Sequence, residues 1–582
     1  MIFGRPSTKY YRQRLLLFAL CITVTTSSLD TNNIEYRVVG TLPEKSQTND
    51  TITVVIDDAP YPLSLSANDN LTYIGSAPIA KKEYYYAHID PDNDNKVTSR
   101  EPFTRQPKQS DTDYEFYNRS QAYWDIPTLP HLYDPLYHRK DSDLHLDGQI
   151  GTIHIRANST DLMNLHGNPL DEDAFVTGNM TFIRGQELLT FEDVEVELSG
   201  RSSRWNPKLS YSVKIPKESG KSLYGYRRIK LRSLFTDPSY IREALIYHII
   251  RATGLPTTDF SYVRLYINDQ PVGFFGLIEN FKNPWLVNEF GNGEESDYQQ
   301  GNLYQARLVG DIFGPGGHIS DLGYYGENTT VYEEGQYKIK EDPSDKNPSY
   351  KPLIELIKFL ANAPTDNLEE WEKHFNMESV LRSMALEIIL GFSDGYSTFA
   401  DNYYLYQNGL NAEQFIYIPA DVDISMGSSM SDMSQMLTGD YHTFPGFLRR
   451  PLVKQFLRVP EYKQRFEEIL QELATYLVNP MILDPIIDAV ADMIRQDVEW
   501  DENLPRLGKT EIDILANQTI SLFDDEKLAG IVDMDTIKDA LERPQPLPFD
   551  VAVNGPTGHI SMTGVKEYIA NSSRAILEFY DK

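Results

Sequence analysis

The chain has 582 residues, 54 Lys+Arg against 85 Asp+Glu, and a single cysteine. The length exceeds what one hydrophobic core supports, so several domains are expected. Hydrophobic content of 41% with 12% aromatic excludes disorder or coiled coil as the main state. A net charge of −31 excludes nucleic acid and an anionic membrane as principal partners and points to basic proteins and divalent cations.

Residues 1–28 read as a secretory signal. Lys9, Arg12 and Arg14 precede an apolar stretch from Leu15 to Val24, and the small polar run Thr25-Thr26-Ser27-Ser28 follows. Ten apolar residues are too few to cross a bilayer as a helix. Removing the four basic residues of this segment leaves 50 Lys+Arg against 85 Asp+Glu, a net charge of −35, and no cysteine. A secreted chain without disulfides must depend on a large core. Eight Asn-X-Ser/Thr sequons agree with the secretory route: Asn49, Asn70, Asn118, Asn158, Asn179, Asn328, Asn517 and Asn571. The last residues carry no apolar tail of the kind a GPI anchor requires, and no later segment reads as transmembrane.

From 29 to 145 the sequence predicts a β-rich domain and a linker. Strands are expected at 34–39, 51–56 and 82–88, and the absence of a helical period makes this a small β-sandwich. Within it, Asp90-Pro91-Asp92-Asn93-Asp94-Asn95 and Glu101 have the oxygen spacing of an EF-hand loop, but the flanks are strand-like. A hairpin loop is expected there, with an incidental Ca²⁺ site as the alternative. The Tyr-, Asp- and Pro-rich stretch 105–136 reads as a linker or wrapping arm.

The remainder, 146–582, is expected to be one large unit, making the chain α+β overall. Strands at 152–156, 194–198, 211–215, 262–267 and 272–279 surround one helix near Asp237-Pro238-Ser239, where an acidic cap and an early Pro precede Ile241, Leu245 and Ile249 at helical spacing. Gly254-Leu255-Pro256 ends it, and Asn268-Asp269-Gln270-Pro271 is a hairpin turn. Helices follow at 351–361, 377–390 and, in pieces, over 448–495.

The densest polar constellation lies between 387 and 427. A helix ends in Gly391-Phe392-Ser393-Asp394-Gly395, a strand follows Asn402, and a second strand delivers Pro419-Ala420-Asp421-Val422-Asp423. Oxygen-only ligands of this kind suit Mg²⁺ or Mn²⁺. One Asp to orient an attacking hydroxyl, then an Asn and a later Asp for metal, is the layout that phosphoryl transfer requires. The plainer reading is that Asp394 caps a turn and Asp421 starts a loop. Gly200-Arg201-Ser202-Ser203 is a loop of small residues that lets backbone N–H groups approach phosphates, or a simple surface turn. Lys208 and Lys214 both compete for a phosphate-binding role. Gly220-Lys221-Ser222 lacks the earlier glycine of a P-loop, and no zinc motif or Gly-X-Ser-X-Gly elbow occurs.

These residues carry a resemblance. Gly200-Arg201-Ser202-Ser203-Arg204 with Pro207-Lys208-Leu209-Ser210-Tyr211, Asp237-Pro238-Ser239-Tyr240-Ile241-Arg242, Gly254-Leu255-Pro256, Asn268…Gly273…Glu279, Asp394…Asn402-Tyr403-Tyr404-Leu405-Tyr406 and Ile418-Pro419-Ala420-Asp421-Val422-Asp423…Gly427 occur in order over about 150–500. The chain is similar to the CotH family of spore-coat-type atypical protein kinases, which includes fungal cell-surface members. The resemblance implies a two-lobe kinase-like fold with a helical C-terminal lobe, ATP and Mg²⁺ or Mn²⁺ as cofactors, and phosphate transfer to Ser/Thr of secretory, wall or coat proteins. It implies Asp394 as the catalytic residue, Asn402 and Asp421 as metal ligands assisted by Asp423, and Lys208 on the nucleotide phosphates, with Lys214 as its rival. It also implies Glu279 in the hinge near the adenine. The family often has Trp where this chain has Ala420, which removes bulk beside the site but no ligand. The competing reading is a cell-surface adhesin that binds a host or cell-surface receptor through the β domain and the loop 306–334, with the kinase fold as scaffold.

Overall fold

Strict alternation of inward apolar and outward polar residues builds the first strands, as in β1 (Asn33–Val39), where Ile34, Tyr36 and Val38 are buried. A computed structural model of the chain describes residues 33–41, 51–67, 69–90, 92–93, 96–307, 318–333, 336–508 and 529–581. The expected signal at 1–28, the sequons Asn49 and Asn517, and positions 308–317 and 334 of the 306–334 loop lie outside the described residues. So do positions 91, 94 and 95 of the EF-hand-like motif.

Seven further short strands complete the N-terminal region: β2 (Thr51–Ile56), β3 (Ala59–Pro62), β4 (Ser64–Leu65), β5 (Thr72–Pro78), β6 (Tyr84–Asp90), β7 (Lys96–Arg100) and β8 (Tyr114–Phe116). They form two four-stranded sheets, β4-β5-β1-β8 and β3-β2-β6-β7. Tyr36 and Val38 from the first sheet and Val54, Tyr84 and Tyr86 from the second share one core. Asp90 pairs with Lys96 across the β6–β7 hairpin. Glu101, the last oxygen of the EF-hand spacing, is buried and takes Tyr86 N (3.0 Å), Asn118 N (3.0 Å) and the Arg105 guanidinium. The motif is therefore a hairpin whose would-be final ligand is spent on the domain's own interior.

The 105–145 stretch is fastened along its length. Arg119 and Arg264 share the two oxygens of Asp497 (3.0 and 2.7 Å), all three side chains being buried. Leu132 and Leu136 donate backbone hydrogen bonds to Ala252 and Gly254, and Lys140 to Asn288.

The central unit is a closed barrel of seven strands: β9 (Ile150–Ala157), β10 (Phe175–Arg184), β11 (Glu187–Ser199), β12 (Ser210–Lys214), β13 (Arg228–Arg232), β14 (Phe260–Ile267) and β15 (Gln270–Glu279). All neighbours are antiparallel except β14 and β9. Ile153, Phe182, Val196, Val213, Leu231, Leu265 and Leu277 fill its interior. Asn268 and Asp269 join β14 to β15 with φ of 48° and 67°, the two positive values that a tight I′ hairpin turn needs. The expected helix is α1 (Arg242–Ala252). It begins later than the capping signal implied, because Asp237 uses its carboxylate on Ser239 N, Ser239 Oγ and Arg242 N to fold the preceding loop.

A second, four-stranded antiparallel sheet, β17-β16-β18-β19, consists of β16 (Leu303–Ala306), β17 (Tyr337–Glu341), β18 (Tyr403–Gln407) and β19 (Phe415–Pro419). Behind it stands the helix Met377–Leu390, buried on every side but for Glu378, Arg382 being nearly so. A helix enclosed in this way belongs at the centre of a large core. The helices Pro460–Tyr476 and Val565–Tyr580, together with α1, pack against it. No described helix is long and apolar enough to cross a membrane. The α+β composition follows the sequence reading.

Candidate functional site

A cleft of about 270 Å³ opens between the barrel strands β11, β12, β13 and β15 and one face of the second sheet. Its carboxylate end is built by the segment that follows the helix Met377–Leu390. Gly391 ends that helix at φ 62°, and a Cβ there would meet the Tyr568 hydroxyl at 2.2 Å, so only glycine makes the turn that presents Asp394. Glu387, one turn earlier and buried, accepts from Tyr396 N (3.1 Å), Ser397 N (2.8 Å) and the Tyr417 hydroxyl (3.3 Å). It thereby fixes the loop from below. Ala400, Asn402 and Asp421 all adopt left-handed backbone (φ 54°, 59° and 52°). Such strain concentrates where surrounding structure dictates conformation for a purpose.

Asn402 donates its Nδ2 to Asp394 Oδ2 at 2.8 Å. Its Oδ1 is then the end of the amide left to accept. Asp421, just beyond β19, pairs with Arg232 Nη2 at 2.6 Å, and Asp423 lies 3.3 Å from the same nitrogen and takes the Thr236 hydroxyl at 3.0 Å. Burial raises Asp394 well above the usual carboxylate range, and the neighbouring Asp423, Asp421 and Asp401 push it further. Burial also acts upward on Asp421, but Arg232, then Lys230 and Arg201, outweigh it and hold that carboxyl below its ordinary value. Asp423 is raised by burial despite Arg232.

The Gly200 loop overhangs this end. Gly200 has φ 97°, and a Cβ would fall 1.8 Å from Ser203 Oγ. Ser202 and Ser203 open a short 3₁₀ turn. Arg204 locks the loop by donating to the carbonyls of Gly200 (2.8 Å), Leu198 (2.7 Å) and Pro169 (2.7 Å). Arg201 reaches across the cleft to Asp401 at 2.7 Å.

Three expected site residues require correction. Lys208 is not in the cleft. It is buried between the barrel and the helix Pro480–Glu502, with Nζ 2.9 Å from Asp501 and 2.6 Å from the Phe274 carbonyl. Burial lowers it to about 8 against the pull of Asp501. Asp501 also takes Phe274 N and the Tyr240 hydroxyl at 2.7 Å each. A Cβ on Gly273 would meet Asp501 at 2.3 Å. Lys208 and Gly273 are thus parts of one joint that fastens the barrel to a helix. Lys214, the rival lysine, sits on β12 paired with Glu195 at 2.6 Å, outside the cleft lining. Glu279 does lie at the cleft wall, but its buried carboxylate faces the other way, onto Arg139, Thr258 and Asp259 N, and Arg139 holds it well below the usual range against the upward push of burial.

Several cleft residues escaped the sequence reading. Arg232 bridges Asp421 and Glu243 on α1, donating Nε to Glu243 Oε2 at 2.9 Å. Lys230 lies on the same face of β13, and Lys338 and Lys340 alternate on β17 in the same manner. The legible signal was period 2: cations at every second position of a short strand share one face.

Among the described residues, no three His, Cys, Asp or Glu side chains form a ready metal-binding group. A divalent ion held by one or two carboxylates plus substrate phosphates does not need one. The donor set of Asp421, Asp423 and the free amide oxygen of Asn402 is all oxygen. Its mutually repelling carboxylates would be relieved by a cation, so these residues fit Mg²⁺ or Mn²⁺.

Residues 196–507 match the family model described as CotH kinase protein. Relatives from Rhizopus delemar include Invasin CotH3, 26% identical over 67% of this chain and 64% of its own length, and Spore coat protein homolog 1, 23% identical over 84% and 76%. Inner spore coat protein H of Bacillus subtilis is 24% identical over 53% of this chain and 78% of its own. The chain spans 64% of the length of that invasin, less than two thirds.

Proposed function

The chain belongs to the CotH family, and from that premise we propose that it is an atypical protein kinase acting on Ser/Thr of secretory or cell-surface proteins. The barrel with α1 would be one lobe, and the second sheet with its helices the other. The observation that carries this reading is the convergence of Asp394, Asn402 and Asp421 at one end of a cleft walled by Arg201, Lys230 and Arg232.

Asp394 is placed to take the proton of an acceptor hydroxyl as the hydroxyl oxygen bonds to the terminal phosphorus and the bond to the leaving diphosphate breaks. Asn402 orients Asp394 through its 2.8 Å hydrogen bond. Asp421, Asp423 and Asn402 Oδ1 would hold Mg²⁺ or Mn²⁺, which neutralises phosphate charge when bound. Arg232, clamped by Glu243, has the position of the strand cation that pairs with a helix glutamate in protein kinases. It supports α1 and places positive charge beside the phosphates. Arg201 can exchange Asp401 for a phosphate oxygen, since guanidinium binds either in the same forked geometry.

The test is transfer of labelled γ-phosphate from ATP with Mn²⁺ to the protein itself or to a basic Ser-rich acceptor. Asp394→Ala and Asp421→Ala should each abolish labelling. Equal labelling by the intact protein and both variants would overturn the proposal.

A surface-binding role is a second reading, favoured by the invasin names of three relatives. Binding of the purified protein to host cells that survives Asp394→Ala would separate it from catalysis.

A further inference from the structure

In a chain with net charge −31, the cleft runs against the whole: its walls carry eight basic residues and four acidic ones. Two of the four, Glu279 and Asp421, are engaged by Arg139 and Arg232. The cations also divide spatially. Arg201, Arg232 and Lys230 face the carboxylates, whereas Lys282, Arg307, Lys338 and Lys340 crowd the far end, beside the β15 exit and strands β16 and β17. Cross-strand register sets them on one sheet face: Lys338 pairs with Gln305, Gln305 with Tyr404, and Tyr404 with Ile418. Lys340 and Arg307 each lie two positions from members of that row. From β17 to β19 are three strand spacings, so roughly 14 Å separates this group from the carboxylate end.

None of these four cations has an ion pair among the described residues, and Lys340 has only Gln305 Oε1 at 3.3 Å. Burial lowers Lys340 to about 7, and Lys282, Lys230, Lys338 and Arg307 repel its proton further. Glu341 and Glu197 approach Lys282. An uncharged purine at this end would leave confined, mutually repelling cations without compensation, which is costly.

We propose that Lys282, Arg307, Lys338 and Lys340 form a second anion subsite that takes a multiply charged phosphate-class group, apart from the carboxylate end. This rests on the cleft being the ligand site, as the kinase reading holds, but not on transfer itself. The group is either the phosphate chain of a nucleotide entering from this end or a separate polyphosphate.

Calorimetric titration of the full chain with tripolyphosphate in EDTA tests the subsite without the metal end. The intact protein should bind. Lys338→Gln/Lys340→Gln should weaken binding at least tenfold, and Lys282→Gln, on a different element, should weaken it as well. Lys214→Gln, outside the cleft lining, should leave it unchanged. Thermal unfolding of each variant confirms that it is folded. Titration after saturation with ADP and Mn²⁺ identifies the source: retained binding assigns a separate polyphosphate, and lost binding assigns the nucleotide's own phosphates. No binding by the intact protein, or equal binding by the Lys338/Lys340 variant, overturns the inference. Tripolyphosphate binding with no phosphotransfer would sink the kinase reading and leave the subsite standing.

Discussion

Replacing Lys208 with Met separates a structural lysine from a nucleotide-binding one. Methionine keeps an apolar stem but removes the Nζ bonds to Asp501 and the Phe274 carbonyl and the charge that lies over the Phe275 and Tyr240 rings. Removing one partner of a buried ion pair costs about 3–5 kcal/mol, because the other charge stays buried. Asp501 would retain Arg506 at 3.1 Å, the Tyr240 hydroxyl and Phe274 N, which sets the expectation at the low end, about 3 kcal/mol. Guanidinium unfolding followed by tryptophan fluorescence measures the loss, and nucleotide titration at a temperature where the variant is folded should give an unchanged affinity. The opposite pattern, an unmoved unfolding midpoint with at least tenfold weaker nucleotide binding, would return Lys208 to the phosphates and refute the argument.

Gly273→Ala should destabilise the same joint by about 2 kcal/mol or more, since its Cβ would strike Asp501 at a backbone φ of 153°; an unfolding curve superimposable on that of the intact protein would contradict this. Glu387→Ala strands Tyr396 N, Ser397 N and the Tyr417 hydroxyl, each buried and costing about 1–3 kcal/mol unpaired. It should lower both stability and transfer rate, whereas a variant with full activity would show that Glu387 does not hold the Asp394 loop. Tripolyphosphate affinity should fall as pH rises through about 7, because Lys340 loses its proton there and Lys282, Lys230, Lys338 and Arg307 disfavour regaining it. A bound polyanion raises that pKa, so binding at pH 8 should take up a proton, measurable in buffers of different ionisation enthalpy. Affinity independent of pH from 6 to 8 would exclude Lys340 from the subsite.

Three of the eight N-terminal strands (34–39, 51–56 and 82–88), the 377–390 helix and the hairpin that carries Asn402 and Asp421 were legible because local pattern decides them: alternating or continuous apolar runs, and polar residues flanking a hairpin. Closure of the barrel was not, since β13 has five residues of which three are basic, and the pattern of β10 is broken by an irregularity between Gly178 and Met180. Lys208 misled because a lysine after a glycine-rich loop has two possible destinations, and only the distant Asp501 on the helix Pro480–Glu502 decides between them. Sequence spacing carries no trace of a partner 293 residues away. The basic cleft was masked by whole-chain charge: an average of −31 conceals local sign, and the inference that acidity would steer basic acceptors describes the exterior rather than the cavity.

The most direct measurement is the anomalous signal of Mn²⁺ in crystals of the intact protein grown with a non-hydrolysable ATP analogue. The account predicts a peak within about 2.2 Å of the Asp421 carboxylate and Asn402 Oδ1, phosphates against Arg201 or Arg232, and Lys208 still on Asp501. A peak elsewhere, or phosphates drawn to Lys208, would contradict it.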